Sequence, residues 1–233
     1  MIRAAGALAA LVLAVAACGG ASLAPPTPAA SGLPSVTPMP AGTYTSTGFQ
    51  PPVTFTVPDG WVVTGDQPLY FALQPADNDL IGIHLFGDPL AASQDASCPA
   101  APEPGVGTTS SELAAWIRER PGLVVSTPTM ATIGGLRGVG LDIALRADWT
   151  QACPFANGVP SVPLINSPAI DHWVVVGNER LRLYLLDLPD GGTIAVDLDA
   201  FDGDQIDDLL GRANAIVRSM QFAVDPGAAS PSP

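Results

Sequence analysis

Arg180-Leu181-Arg182-Leu183-Tyr184-Leu185 alternates polar and apolar side chains along six residues. Successive residues of a strand point to opposite faces of its sheet. Leu181, Leu183 and Leu185 therefore share one face, and Arg180, Arg182 and Tyr184 the other. The turn residues Pro189-Asp190-Gly191-Gly192 follow, and then an apolar run over 193–198 that reads as the returning strand. On the N-terminal side, residues 172–176 are expected to pair with 180–188 across Gly177-Asn178-Glu179. Hairpins in series imply an antiparallel sheet.

The rest of the chain extends this pattern. Residues 43–47, 53–57, 61–63, 69–73 and 80–86 are rich in β-formers, and Pro58-Asp59-Gly60 marks a turn between two of them. Ser110-Ser111-Glu112 opens a helix with Leu113, Trp116 and Ile117 on one face, and Pro121-Gly122 stops it. Residues 123–133 and 137–145 read as a hairpin around Gly134-Gly135. A long loop is expected over 146–170. A helix over 204–217 carries Asp204, Asp207 and Asp208 at its start and Arg212 and Arg218 near its end, as the helix dipole favours. Met220-Gln221-Phe222 closes the chain as a short strand. The fold class is α+β: an antiparallel sheet of consecutive hairpins, with two amphipathic helices packed on one face.

Thr54-Phe55-Thr56-Val57-Pro58-Asp59-Gly60-Trp61 resembles the opening of PsbP-like domains, the fold of a photosystem extrinsic subunit. Ser219-Met220-Gln221-Phe222 after a helix is similar to the close of many bacterial members. The resemblance implies a scaffold with mostly non-enzymatic roles. It implies no reaction and no photosynthetic role.

The N-terminus has the parts of a secretory signal: Arg3, an apolar run from Ala4 to Ala17, and a small-residue exit. Val15-Ala16-Ala17-Cys18 resembles a bacterial lipobox, which implies a diacylglyceryl group on Cys18, further acylation of the palmitate kind, and attachment to the outside of the cell membrane. The alternatives are a plain secretion signal and a transmembrane helix. The apolar run is shorter than the roughly 20 residues that span a bilayer. The expected organisation is a signal peptide over 1–17, a lipidated Pro/Ala/Ser tether over 18–42, one domain over 43–224 and a disordered tail over 225–233.

Of the three cysteines, Cys98 and Cys153 remain for each other. In an oxidising compartment an even remainder suggests a disulfide; free thiols or metal ligation are the alternatives. The sequence carries 22 acidic residues against 9 basic ones, all arginine, for a net charge of −13. That balance opposes nucleic acid and docking on anionic lipid. The expected partners are the membrane, through Cys18, and an envelope protein or small-molecule ligand.

No residue pattern demands a cofactor or a metal. Gly-x-Ser-x-Gly and His-Glu-x-x-His are absent from the sequence. Asp171 and His172 are neighbours in a strand and face opposite ways, so they make no triad. The acidic run Asp197, Asp199, Asp202, Asp204, Asp207 and Asp208 invites calcium, but Phe201 falls where an EF-hand needs an oxygen ligand. His84 reads as a strand residue. The candidate ligand-binding set is Trp149, Phe155, His172, Trp173, Arg180, Arg182 and Tyr184, residue types favoured at interfaces; the aromatics also serve to pack the long loop. The functional expectation is a non-enzymatic, membrane-anchored binding domain. An extracytoplasmic hydrolase and a calcium-stabilised structural module are the alternatives.

Overall fold

The computed structural model describes residues 37–224. The signal sequence, Cys18, most of the tether and the C-terminal tail lie outside the described residues. Among those described, no helix is long and apolar enough to cross a membrane.

The largest sheet has eight strands. Three form a meander: β3 (Trp61–Gln67), β4 (Tyr70–Pro75) and β5 (Ile81–Gly87). The other five are β7 (Leu123–Val125), β8 (Thr129–Ile133), β9 (Leu136–Leu145), β12 (Arg180–Asp187) and β13 (Thr193–Ala200). Their order is β3-β4-β5-β13-β12-β9-β7, with β8 also paired to β9. Ser126-Thr127-Pro128 divides what the sequence suggests as one strand over 123–133. Pro128 lacks the N–H a continuous ladder would need.

β13 explains the layering. All eight of its residues are buried, because the strand lies mid-sheet under cover on both sides. Ile194, Val196, Leu198 and Ala200 face a core shared with α2 (Ile206–Ser219), through Leu209, Ala213 and Ile216. The same core takes Val53, Phe55 and Val57 from β2 (Val53–Val57). That strand lies between β1 (Gly42–Thr45) and β14 (Gln221–Phe222) in a small sheet. Ala195 faces the other way, beside Leu181, Leu183 and Leu185, into a second core under α1 (Ser110–Arg118).

The helices therefore cover opposite faces of the main sheet, not one face as the sequence suggested. The apolar residues of β13 alternate onto both sides, and each side requires its own cover.

The expected loop over 146–170 contains a strand, β10 (Ser161–Ser167). It lies between β6 (Leu90–Ala91) and β11 (Ile170–Val176) in a third sheet on the α1 side. The expected pairing of 172–176 with 180–188 is thus replaced by β10–β11 pairing. Both edges of β12 are taken, by β9 and β13, so β11 has no place beside it. Gly177, at φ +53°, lets the chain turn from one layer to the other. The sheet is accordingly not a simple series of hairpins: β5–β13 and β9–β12 are pairings between strands distant in sequence.

Local chemistry fixes the helix ends. Thr109 accepts from the Glu112 backbone N–H while the Glu112 side chain reaches back to Thr109, a reciprocal capping box one residue ahead of the expected start. α2 follows a 3-10 turn over Gly203–Gln205 whose cap is Asp202.

Candidate functional site

Three strands bring an unusual set of groups together on the α1 side of the sheet. Cross-strand pairing places His84 beside Asp197, Gly82 beside Asp199 and Phe86 beside Ala195. On the next strand, Tyr70 pairs with Phe86 and Ala72 with His84. Paired residues project to the same face, so Tyr70, His84, Asp197 and Asp199 form one patch. Gly82 leaves room for the imidazole to lean across it, bringing Nε2 within 3.0 Å of Asp199 Oδ1. The approach is close but off the line of an N–H···O bond, and Asp199 Oδ1 has no regular hydrogen bond.

The opposite ring nitrogen, Nδ1, lies 2.9 Å from the Tyr70 hydroxyl. Burial first, then the charges of Asp199 and Asp197, push the Tyr70 phenol up to about 12. The phenol keeps its proton, and the hydroxyl and Nδ1 share a hydrogen bond whose direction follows the imidazole tautomer. Trp173, projecting from β11, closes the patch. Its ring centroid is 4.6 Å from that of His84 and 5.0 Å from that of Phe86. Its indole Nε1 donates to Asp197 Oδ2 at 2.6 Å.

Two further acids lie in this region without an arginine partner among the described residues. Asp197 is fully buried, and its Oδ1 has no hydrogen-bond partner. Burial, then Asp199 and Glu179, raise its pKa well above the usual carboxylate range, against the Trp173 hydrogen bond. Glu179 is 4% exposed, and Glu179 Oε2 accepts from the Val176 N–H at 2.8 Å. Burial and the charge of Asp199 push Glu179 up to about 8. Burial without an arginine partner pushes both acids toward the protonated form.

A small pocket of about 250 Å³ opens onto this cluster. His84 and Asp199, with side chains 15% and 12% exposed, form its floor with Trp173. Leu80 and Phe201, 45% and 55% exposed, stand at its mouth.

The residues proposed from the sequence divide between two faces. Trp173 lines the pocket. Its neighbour His172 instead stacks on Phe155, with centroids 4.8 Å apart. Trp149 donates from Nε1 to the Ser161 carbonyl at 3.1 Å and packs on Gly122 near the Cys98–Cys153 disulfide. Arg180, Arg182 and Tyr184 face the α2 side. Arg182 makes two hydrogen bonds with Asp142, at 2.7 and 3.1 Å, and lines a shallow groove of about 610 Å³ with Arg180. The acidic run also divides: Asp197 and Asp199 lie in β13, while Asp202 caps the turn ahead of α2, whose first turn holds Asp207 and Asp208. Among the described residues, no group of three His, Cys, Asp or Glu is placed to hold a metal.

His84, Tyr70 and Glu179 were not in the sequence-derived set. The signal for this site was in β13: two aspartates two residues apart in an otherwise apolar strand must share one buried face.

No family model and no curated protein matches the chain. Solved structures with some likeness include the cyanobacterial PsbP (CyanoP) of Synechocystis sp. PCC 6803, at 11% identity and a TM-score of 0.38 over 78% of this chain and 93% of that one. LpqN of Mycobacterium tuberculosis, involved in cell envelope biogenesis, is 15% identical, with a TM-score of 0.36 over 80% of this chain and 89% of that one. A protein of Bacteroides thetaiotaomicron VPI-5482 is 11% identical, with a TM-score of 0.39 over 80% of this chain. The chain spans 50% of that protein's length. Likenesses this low carry no argument about function.

Proposed function

We propose that this chain is an extracytoplasmic lipoprotein, anchored through Cys18, whose PsbP-like α+β domain binds a ligand and does not transform it. The observation that carries the binding reading is the state of His84. Its Nδ1 is hydrogen-bonded with Tyr70 and its Nε2 faces Asp199 at 3.0 Å, beneath a pocket whose lining offers no serine, threonine or cysteine nucleophile. Hydrolysis by an activated side chain needs a nucleophile within reach of the base. The Cys98–Cys153 disulfide supports an oxidising compartment. The lipobox-like sequence supports the anchor, and the Thr54–Trp61 and Ser219–Phe222 motifs support the PsbP-like reading.

Fractionation of cells expressing the chain tests the anchor. The protein is expected with the membrane, and Cys18→Ser is expected to release it to the periplasm or medium. Cytosolic protein with an intact N-terminus overturns the reading.

A second reading is a hydrolase in which His84 polarises a water. The 3.0 Å His84–Asp199 contact at the pocket floor favours it. Turnover of an ester or amide panel that is lost in His84→Gln would establish this alternative.

A further inference from the structure

The pocket over His84 has a one-sided electrostatic character. Its walls bring two carboxylates, Asp79 and Asp199, and no arginine. Arg180 pairs through its backbone with Ala200, beside the site, but its side chain lies on the α2 face and lines the groove there. The basic side chain in the lining, His84, has its Nε2 turned to Asp199, so the carboxylates set the character of the walls.

Asp199 lines the pocket and is 9% exposed; its Oδ1 is buried against His84 Nε2 at 3.0 Å, so only the remainder of the carboxylate meets the pocket. The walls supply the complementary surface. Trp173 is held by the Asp197 hydrogen bond and by packing on His84 and Phe86. Phe201 leaves 55% of its surface in water at the mouth. Aromatic faces attract cations through the ring quadrupole, most strongly where water is excluded. At about 250 Å³, the space suits a small head group.

We propose that this pocket takes a small organic cation, an amine or quaternary ammonium group, seated against Trp173 and Phe201 with Asp199 and Asp79 as counter-charges. The inference rests on the binding reading above and names its ligand class. A cation in the pocket also lowers the cost of ionising Glu179 and Asp197 behind it, so binding releases protons near neutral pH.

The test is a titration of the full chain with choline chloride and tetramethylammonium chloride, followed by tryptophan fluorescence. Sodium chloride at matched ionic strength controls for salt, and 3,3-dimethylbutan-1-ol serves as the uncharged isostere of choline. Saturable changes with both ammonium probes are expected, with the isostere and sodium chloride inert. Phe201→Ala, at an exposed position, and Asp199→Asn should each weaken binding by about tenfold with the circular dichroism spectrum unchanged. Calorimetry in two buffers of different ionisation enthalpy should show proton release. Equal binding of the isostere overturns the cation class and leaves the pocket reading standing. No saturable change with either ammonium probe overturns the proposed ligand class and leaves the binding reading standing. Undiminished binding in Phe201→Ala places the site elsewhere and overturns the proposal.

Discussion

Gly82 lies directly across the β5–β13 ladder from Asp199, and the space its missing side chain leaves is occupied by His84. A Cβ at position 82 would come within 2.6 Å of His84 Nε2 and 3.4 Å of Asp199 Oδ1. The imidazole has little freedom to retreat, since Tyr70 holds its other nitrogen and Trp173 packs on its ring. Gly82→Ala is expected to push the ring off Asp199 at a cost of about 1–3 kcal/mol. Chemical denaturation measures the cost, and the Trp173 fluorescence reports the displaced ring. A variant as stable as wild type, with unchanged fluorescence, contradicts the contact.

Glu179 makes folding sensitive to pH. Its usual value is 4.5, and burial followed by repulsion from Asp199 raises it to about 8 in the folded chain. Between those values the folded state binds a proton that the unfolded state has lost, so stability is highest below the lower value and falls as pH rises through the upper one. The interval corresponds to a destabilisation on the order of 5 kcal/mol, and Asp197 acts in the same direction. The melting temperature is expected to fall from about pH 4 to about pH 9, two conditions that bracket that interval. Glu179→Gln should flatten the slope; an unchanged slope in that variant would assign the dependence to other groups.

The disulfide spans 55 residues of sequence, from the loop after β6 to the loop before β10. A closure of that length restricts the unfolded chain by about 4 kcal/mol. The paired substitution Cys98→Ser with Cys153→Ser should lower the unfolding free energy by about that amount in denaturant titrations. A loss below about 1 kcal/mol would mean that the unfolded chain gains little freedom when the crosslink is removed.

Two surface interactions should behave differently. Thr109→Ala removes one half of the reciprocal cap on α1 and is expected to cost about 1 kcal/mol. Arg182→Ala breaks the pair with Asp142, whose side chain is 57% exposed. That loss should be under about 1 kcal/mol and should shrink further in high salt. Urea midpoints of the two variants make the comparison.

The strands at 53–57 and 180–187, the β12–β13 hairpin, the turn at Gly134-Gly135 and both helices were legible because each is fixed by local pattern and turn residues. Three features were not. β10 is hidden because Pro163 and the prolines flanking it read as loop, and its partner β6 is supplied by distant sequence. The true partner of β11 was masked by the short Gly177-Asn178-Glu179 link, which resembles a hairpin turn but carries the chain between layers. The disposition of the helices was obscured by Arg180, Arg182 and Tyr184. Their polarity suggested an exposed face, but Ile194, Val196 and Leu198 on the neighbouring strand make most of that face core.

The candidate site was legible only in fragments. Trp173 was singled out for its residue type. Asp197 and Asp199 were read together with the helix-start acids that follow them, which concealed that two of the run are buried. His84 looked like an ordinary alternating strand residue; its role depends on Gly82, Tyr70 and Trp173, which meet it only in the folded chain.

The account centres on a pocket whose floor sets a tyrosine-bound imidazole beside buried acids whose pKa values are raised. The most direct measurement is a carboxyl carbon-13 NMR titration of the full chain, with assignments from Glu179→Gln and Asp197→Asn. Glu179 is predicted to titrate at about 8, and Asp197 well above the ordinary carboxylate range. Titration of both groups in the ordinary carboxylate range, below about 5, would contradict it.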